Sequence, residues 1–231
     1  FFSFHIYSSK PDKIAMQPVI AREFLNSFGY YDTETILNEW NYIRNWMPHE
    51  QFHYTVKVIS SLKGAAFIGA TMLACQKSPL DHLMYYDASL TAVFIGLFDH
   101  ITGEPLKPYH ALYDFSRLYL LGNEVSCTSD TDSVYTGAAI SDDRSKAVIM
   151  LTRYQDLENI DGLEPEPDAP TVRIDWSGFT SDTGVRVTYQ FLDCYHNNDV
   201  CTEETFLGTT GAHLFRMPLY TTILITLEKL Q

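Results

Sequence analysis

The chain changes rhythm near Gly122, and that change limits the folds open to it. Before it, short apolar runs alternate with longer helical stretches. Residues 1–7 read as a strand, and a Ser8-Ser9-Lys10-Pro11-Asp12 loop follows. Residues 13–28 are predicted as a helix, with Ile14, Val19, Phe24 and Leu25 among its apolar positions. Residues 35–40 form a second strand, 53–76 one long helix and 83–87 a third strand. An amphipathic helix over 108–121 offers Tyr109, Leu112, Tyr113, Phe115, Leu118 and Tyr119 to a core. Within the long helix, Lys63-Gly64-Ala65-Ala66 is small enough to lie close on a sheet. Strands separated by helices give βαβ units, so residues 1–122 are expected to be α/β with a parallel sheet.

After Gly122 the period becomes two. Val172, Ile174 and Trp176 alternate with Arg173 and Asp175, and Val185, Val187, Tyr189 and Phe191 alternate with Arg186, Thr188 and Gln190. Ile223, Ile225 and Leu227 follow the same rule, with Leu224 as the exception. Ser141-Asp142-Asp143-Arg144 and Ser181-Asp182-Thr183-Gly184 are turn clusters between such runs. Residues 123–231 are therefore expected to form an antiparallel β-sandwich.

Composition narrows the function. The 45% of hydrophobic residues supports a substantial core, which excludes a disordered tail. With 29 Asp and Glu against 16 Lys and Arg, the net charge of −13 repels phosphates and excludes nucleic acid as a partner. Much of the acidity lies between Asn123 and Pro170 and reads as a solvated face. Its Glu164-Pro165-Glu166-Pro167-Asp168 stretch lacks the spacing of a calcium loop. No apolar run reaches the roughly 18–20 residues that span a bilayer, so no membrane partner is expected. Cys75 reads as a buried thiol, while Cys194 and Cys201 bracket a turn and are either a local disulfide or reduced. His196 beside them fits no zinc pattern. The chain opens on Phe1 inside a strand-like run, so further sequence is expected upstream. Compartment then follows from what lies there, secreted or periplasmic with a signal peptide and cytoplasmic without one.

The chemistry concentrates at strand ends. Glu39 follows the apolar run Ile36-Leu37 and sits among Asn38, Trp40 and Asn41. Active-site residues of a parallel barrel occupy this position, although an ordinary loop carboxylate at a helix start has the same spacing. In the first strand Ser3, His5 and Tyr7 share one face, and Phe2, Phe4 and Ile6 the other. A lone His5 reads as a core histidine; together with Tyr7 it marks a polar cavity. Tyr7 is positioned to donate a hydrogen bond to Glu39. The third strand ends in Met84-Tyr85-Tyr86-Asp87, where alternation sends one tyrosine inward as a stacking platform. Asp87 is either a sugar-hydroxyl ligand or a cap, and Trp40 and Trp46 are either subsite walls or core.

Phe4-His5-Ile6-Tyr7, Asn38-Glu39-Trp40-Asn41 and Met84-Tyr85-Tyr86-Asp87, in this order, resemble strands six, seven and eight of a clan A glycoside hydrolase. The nearest likeness is to glycoside hydrolase family 39, which contains β-xylosidases and α-L-iduronidases. Lys107-Pro108-Tyr109-His110-Ala111 resembles the start of that family's final barrel helix. Asp193-Cys194-Tyr195-His196-Asn197-Asn198 resembles a segment of its β-sandwich. The resemblance implies the C-terminal part of a (β/α)8 barrel, about strands six to eight, followed by an antiparallel sandwich. It implies a retaining glycosidase with Glu39 as nucleophile, Tyr7 bonded to it, and His5, Asn38, Trp40, Tyr86 and Asp87 on a β-xyloside-like substrate. Ile6 and Asn38 depart from the His and Thr common in the family, as does Tyr86-Asp87 where many members carry Trp. The family's acid/base Glu, in an Asn-Glu-Pro of strand four, has no counterpart here and is expected upstream with the missing half of the barrel. No metal or organic cofactor is implied. Two other readings remain open: a non-catalytic carbohydrate-binding or structural protein, and a hydrolase using Asp32, Glu34 or Asp87 as its acid.

Overall fold

The computed structural model describes residues 1–90, 93–158, 164, 166–179, 181–207 and 210–230, so Pro165 of the acidic stretch lies outside the described residues. Its first part carries β1 (Phe2–Tyr7), α1 (Pro11–Ser27), β2 (Thr35–Asn41), α2 (His49–Ile59), α3 (Leu62–Gln76), β3 (His82–Tyr85) and α4 (Lys107–Tyr119). The three strands form a parallel sheet in the order β1-β2-β3. Strands β4 (Asn123–Val125), β5 (Val134–Ile140), β6 (Lys146–Arg153), β7 (Thr171–Ser177), β8 (Val185–Leu192), β9 (Asn197–Phe206), β10 (Thr210–Arg216) and β11 (Thr222–Lys229) follow. They form two antiparallel sheets, one ordered β4-β5-β6-β11-β8-β9 and the other β10-β7.

The predicted helix over 53–76 is two helices bent by 76°. The break has a local cause: the Ser61 hydroxyl accepts from the Gly64 amide and so caps a new helix start. Gly64 also lets that corner close, because a Cβ there would lie 2.3 Å from the Val58 carbonyl oxygen. Among the described residues no single helix is long and apolar enough to cross a membrane. Helix α3 is instead buried between the sheets. Its Leu62, Ala65, Ala66, Phe67 and Ile68 join Leu37 and Trp40 of β2, and Leu73 joins Met150 and Leu224 of the six-stranded sheet. Gly69 approaches β6 so closely that a Cβ would meet Thr152 Oγ1 at 2.8 Å.

The double-faced burial of β11 explains why Leu224 breaks the alternation. Ile223, Ile225 and Leu227 pack toward β7 and β10, whereas Leu224 packs under α3 and α4, where solvent was expected. Helix α4 departs from its predicted core face for a related reason. Its buried residues are Pro108, Ala111, Asp114 and Leu118, while Tyr113 and Tyr119 are exposed. All four cysteines are free thiols, so Cys194 and Cys201 are not bridged, and burial pushes the Cys75 thiol up to about 12.

Two buried charges tie the layers together. The fully buried Lys63 ammonium pairs with Asp156 at 2.8 Å and donates to the Leu157 carbonyl at 2.7 Å and the Tyr54 hydroxyl at 3.0 Å. The Tyr42, Tyr54 and Tyr220 rings surround it at 5.4–5.7 Å. Burial alone would raise Asp156, but hydrogen bonds from Lys63, Ser9 and Tyr42 outweigh it and hold the carboxyl below the ordinary range. Asp114 is the opposite case. It is 1% exposed and accepts one bond from Asn198 Nδ2 at 2.7 Å, and burial raises it well above the ordinary value.

Lys63→Met strands the Asp156 carboxylate and should cost about 3–5 kcal/mol in urea unfolding, with much of it regained in Lys63→Met/Asp156→Leu. A carboxyl held above its unfolded value stabilises the fold at low pH and loses that contribution as pH rises toward the folded value. Asp114→Asn keeps the bond from Asn198 and removes the titration. Its melting temperature should exceed that of the parent by a margin that widens as pH rises above the ordinary aspartate value of about 4.

Candidate active site

The C-terminal ends of β1, β2 and β3 lie side by side, and a register irregularity decides what they present. Phe4 pairs with Leu37 and His5 with Glu39, so Asn38 and Glu39 together oppose His5. One extra residue in β2 reverses the alternation beyond it. Without it Glu39 would point the way Trp40 does, into the helices. With it, Glu39 shares the face of His5, and Trp40 shares the outer face of Ile6 and Tyr85. Ser3 and His5 are accordingly exposed on the inner face, and Phe4 and Ile6 pack against the helical core.

At these strand ends the Tyr7 hydroxyl donates to Glu39 Oε1. Burial and that bond raise the Tyr7 phenol well above its ordinary value, with the charges of Glu39 and Asp87 adding to the shift. Tyr7 is therefore a fixed donor at neutral pH and leaves Glu39 to act as the acceptor. The phenol is clamped by rings: Phe94 stacks on it at 5.4 Å and Trp46 meets it edge-on at 5.5 Å. Trp46 in turn stacks on Phe52 at 5.8 Å, and Tyr86 meets Phe94 at 5.7 Å. Trp46 is 54% exposed, so part of this aromatic wall faces the open side of the site.

The other candidates separate by position. Asn38 is exposed at the bulge, and Tyr86 is exposed at the end of β3, while Tyr85 packs against Trp40 in the core. Asp87 accepts from the Ser89 amide at 3.2 Å, which caps a turn; α4 begins only at Lys107, so no helix is capped. Trp40 is corrected: at 1% exposure, edge-on to Tyr85 and 6.1 Å from Phe67, it is a core residue out of a substrate's reach. Asp32 and Glu34 are also set aside as acids. They precede β2, and Glu39 is its fifth residue, so roughly 16 Å or more of extended strand separates them from Glu39.

Three residues absent from the candidate set help build the site. Asn41 is buried and its Nδ2 donates to the Tyr86 carbonyl at 2.6 Å and the Tyr85 hydroxyl at 3.1 Å, tying β2 to β3. Its place directly after the Glu39-Trp40 pair was the available signal. Phe52 and Phe94 come from α2 and from the segment before α4, and the cluster in which Phe94 packs on Tyr7 and Phe52 packs on Phe94 and Trp46 has no local signature. Among the described residues no group of three or more His, Cys, Asp or Glu is placed to hold a metal. His196 instead pairs its Nδ1 with Asp193 at 2.9 Å.

Neither a family model nor a curated protein matches the sequence. Solved structures do. A glucosidase from Croceicoccus marinus superposes with a TM-score of 0.80 at 16% identity, over 100% of this chain and 54% of that one. The family 39 glycoside hydrolase from Xanthomonas axonopodis pv. citri gives 0.75 at 12% identity, over 100% and 55%. A monomeric β-xylosidase from Caulobacter crescentus CB15 gives 0.69 at 14% identity, over 96% and 51%. The chain thus spans about half the length of these enzymes. In fold it resembles a portion of a family 39 glycoside hydrolase.

Tyr7→Phe removes the bond to Glu39 and keeps the stacked ring. A double-mutant cycle with Glu39→Ala should return a coupling of about 1–3 kcal/mol in chemical denaturation. A coupling near zero would mean that the two groups do not interact in solution.

Proposed function

We propose that this chain is the nucleophile-bearing portion of a retaining glycoside hydrolase, with residues 1–122 the C-terminal half of a (β/α)8 barrel and 123–231 its β-sandwich. The observation that carries the reading is the Tyr7–Glu39 bond at adjacent parallel strand ends, with His5 on the same inner face. Such strand ends are where barrel enzymes place their chemistry. The free edges support the barrel half of the reading. Among the described strands, β1 and β3 each pair on one side only, and α1 exposes Met16, Ile20 and Phe24 at helical spacing, with exposed Phe28 just past its end, as a flank awaiting further strands and helices would.

In the proposed reaction the Glu39 carboxylate attacks the anomeric carbon while the glycosidic C–O bond breaks. The leaving oxygen takes a proton from a second carboxyl group, about 5–5.5 Å from the first in retaining enzymes. That group then removes a proton from water, which attacks the glycosyl–Glu39 ester and frees the sugar and the carboxylate. Tyr7 holds Glu39 in line without competing for a proton, because its own phenol is kept protonated. Asn38, His5, Tyr86 and Asp87 border the position a sugar ring would take, with β-xyloside-like glycosides as the substrate class. The acid belongs to a strand outside these residues, supplied by the rest of the barrel.

The test is Glu39→Ala in the protein that carries both barrel halves. Hydrolysis of 4-nitrophenyl β-xyloside should fall more than about a thousandfold. Azide should restore turnover and yield a glycosyl azide of inverted anomeric configuration, since it enters from the side the carboxylate vacates. The 231 residues alone should not turn over. A variant as fast as the parent would sink the assignment, and sugar binding that survives without turnover would favour a carbohydrate-binding protein.

A further inference from the structure

Helix α2 opens on His49-Glu50-Gln51-Phe52-His53. Two histidines four residues apart lie one above the other on the same helix face. Here they touch: the two imidazoles meet edge-on with ring centroids 4.3 Å apart. Thr55, Val58 and Ile59 form the buried side of α2, whereas His49, Glu50 and His53 are exposed. Among the described residues no hydrogen bond or ion pair engages either imidazole. Two adjacent imidazoles that are free to bind have a chemistry that a single exposed histidine lacks, which is chelation.

We propose that His49 and His53 chelate a divalent transition metal of the zinc type on the exposed face of α2. Their pattern is the His-Glu-x-x-His of helical zinc sites, in which both histidines ligate. Zinc asks for one nitrogen of each ring at about 2.0–2.1 Å. Rings already in contact reach that geometry by turning about χ2, a soft torsion in histidine. Once one imidazole holds the ion, the helix keeps the other beside it, so the second bond forms without ordering a loop. Imidazole favours zinc, copper and nickel over magnesium and calcium, which prefer carboxylates and water. The Glu50 carboxylate in the same turn and the net charge of −13 favour a cation over an anion. The positive end of the helix and Lys57, one turn beyond His53, oppose it. With two protein ligands, water completes the coordination, and binding is weaker than in a closed structural site. Phe52, in the same turn, stacks on Trp46 at 5.8 Å, and Trp46 meets Tyr7 edge-on. A metal on His49 and His53 therefore pins the turn that carries one side of the aromatic wall.

Calorimetric titration of the complete, tag-free gene product with zinc chloride tests this, with His49→Gln, His53→Gln and the double variant beside the parent. Both side chains are exposed, so each variant should keep the circular dichroism spectrum of the parent. Zinc sites elsewhere in the product are common to all four proteins and cancel in the comparison. The parent should bind one zinc more than the double variant, half-saturated below about 1 mM, and either single substitution should weaken that site at least about tenfold. Nickel should follow the same order, and magnesium should not displace the zinc. The same zinc isotherm in the parent and the double variant would overturn the proposal. A site weakened by only one of the two substitutions would overturn the chelate, and displacement by magnesium would mark a carboxylate site and overturn it too. Inorganic phosphate bound by the parent and not by the double variant, with no difference in zinc, would assign the pair to an anion instead. The titration does not involve Glu39, so metal binding and glycosidase activity succeed or fail separately.

Discussion

The buried pairing of Lys63 with Asp156 is the constraint on which the arrangement of the three sheets depends. Lys63 lies on α3 and Asp156 on the segment leaving β6, so their contact fixes the helix of one half against a strand of the other. An ammonium without solvent is tolerated only when every donor is used, and here a carboxylate, a carbonyl and a hydroxyl use them. The same carboxylate accepts from the Tyr42 hydroxyl at 2.9 Å, and Tyr42 directly follows β2. Only Trp40 and Asn41 separate Tyr42 from Glu39. The strand end that presents Glu39 is thereby anchored to the antiparallel half, and neither half sets that geometry alone.

The bulge in β2 does the rest. A strand buried on its outer face by α3 has no freedom to rotate, so the extra residue opposite His5 is the means by which Glu39 and Tyr7 come to face each other. The cost is local disruption of the ladder. Asn41 offsets it by bonding Tyr86 and Tyr85 across to β3 just past the irregularity. The site therefore rests on backbone register, with Tyr7 held between Phe94 and Trp46 as a consequence.

Much of this was legible in the sequence because it depends on local period. The βαβ rhythm gives the parallel sheet, and the face shared by Ser3, His5 and Tyr7 gives the polar side of β1. The strand-end position of Glu39, within reach of Tyr7, was also legible. What local pattern could not carry was anything set by a distant partner. Trp40 reads as either a subsite wall or core until the bulge turns it into the core. Leu224 reads as a flaw in the alternation until α3 and α4 cover it. Lys63 reads as one of a run of small and polar residues, because its carboxylate lies more than ninety positions away. Phe94 joins Tyr7, and Phe52 joins Phe94 and Trp46, only through tertiary structure.

The free edges form a pattern in their own right. Unpaired edges are hazards that proteins usually blunt with charges, prolines or short strands. Along β1 the sequence Phe2-Ser3-Phe4-His5-Ile6-Tyr7 has no proline, lysine or acidic residue, and α1 beside it exposes an apolar stripe. On β7, Arg173 and Asp175 are exposed and pair with each other. The six-stranded sheet ends differently. Its β9 edge carries Asp199, Glu203 and Glu204 and its β4 edge carries Glu124. Charge thus guards the edges of the sheet that needs no further strand. It is missing from β1, the edge where the proposed barrel half would pair.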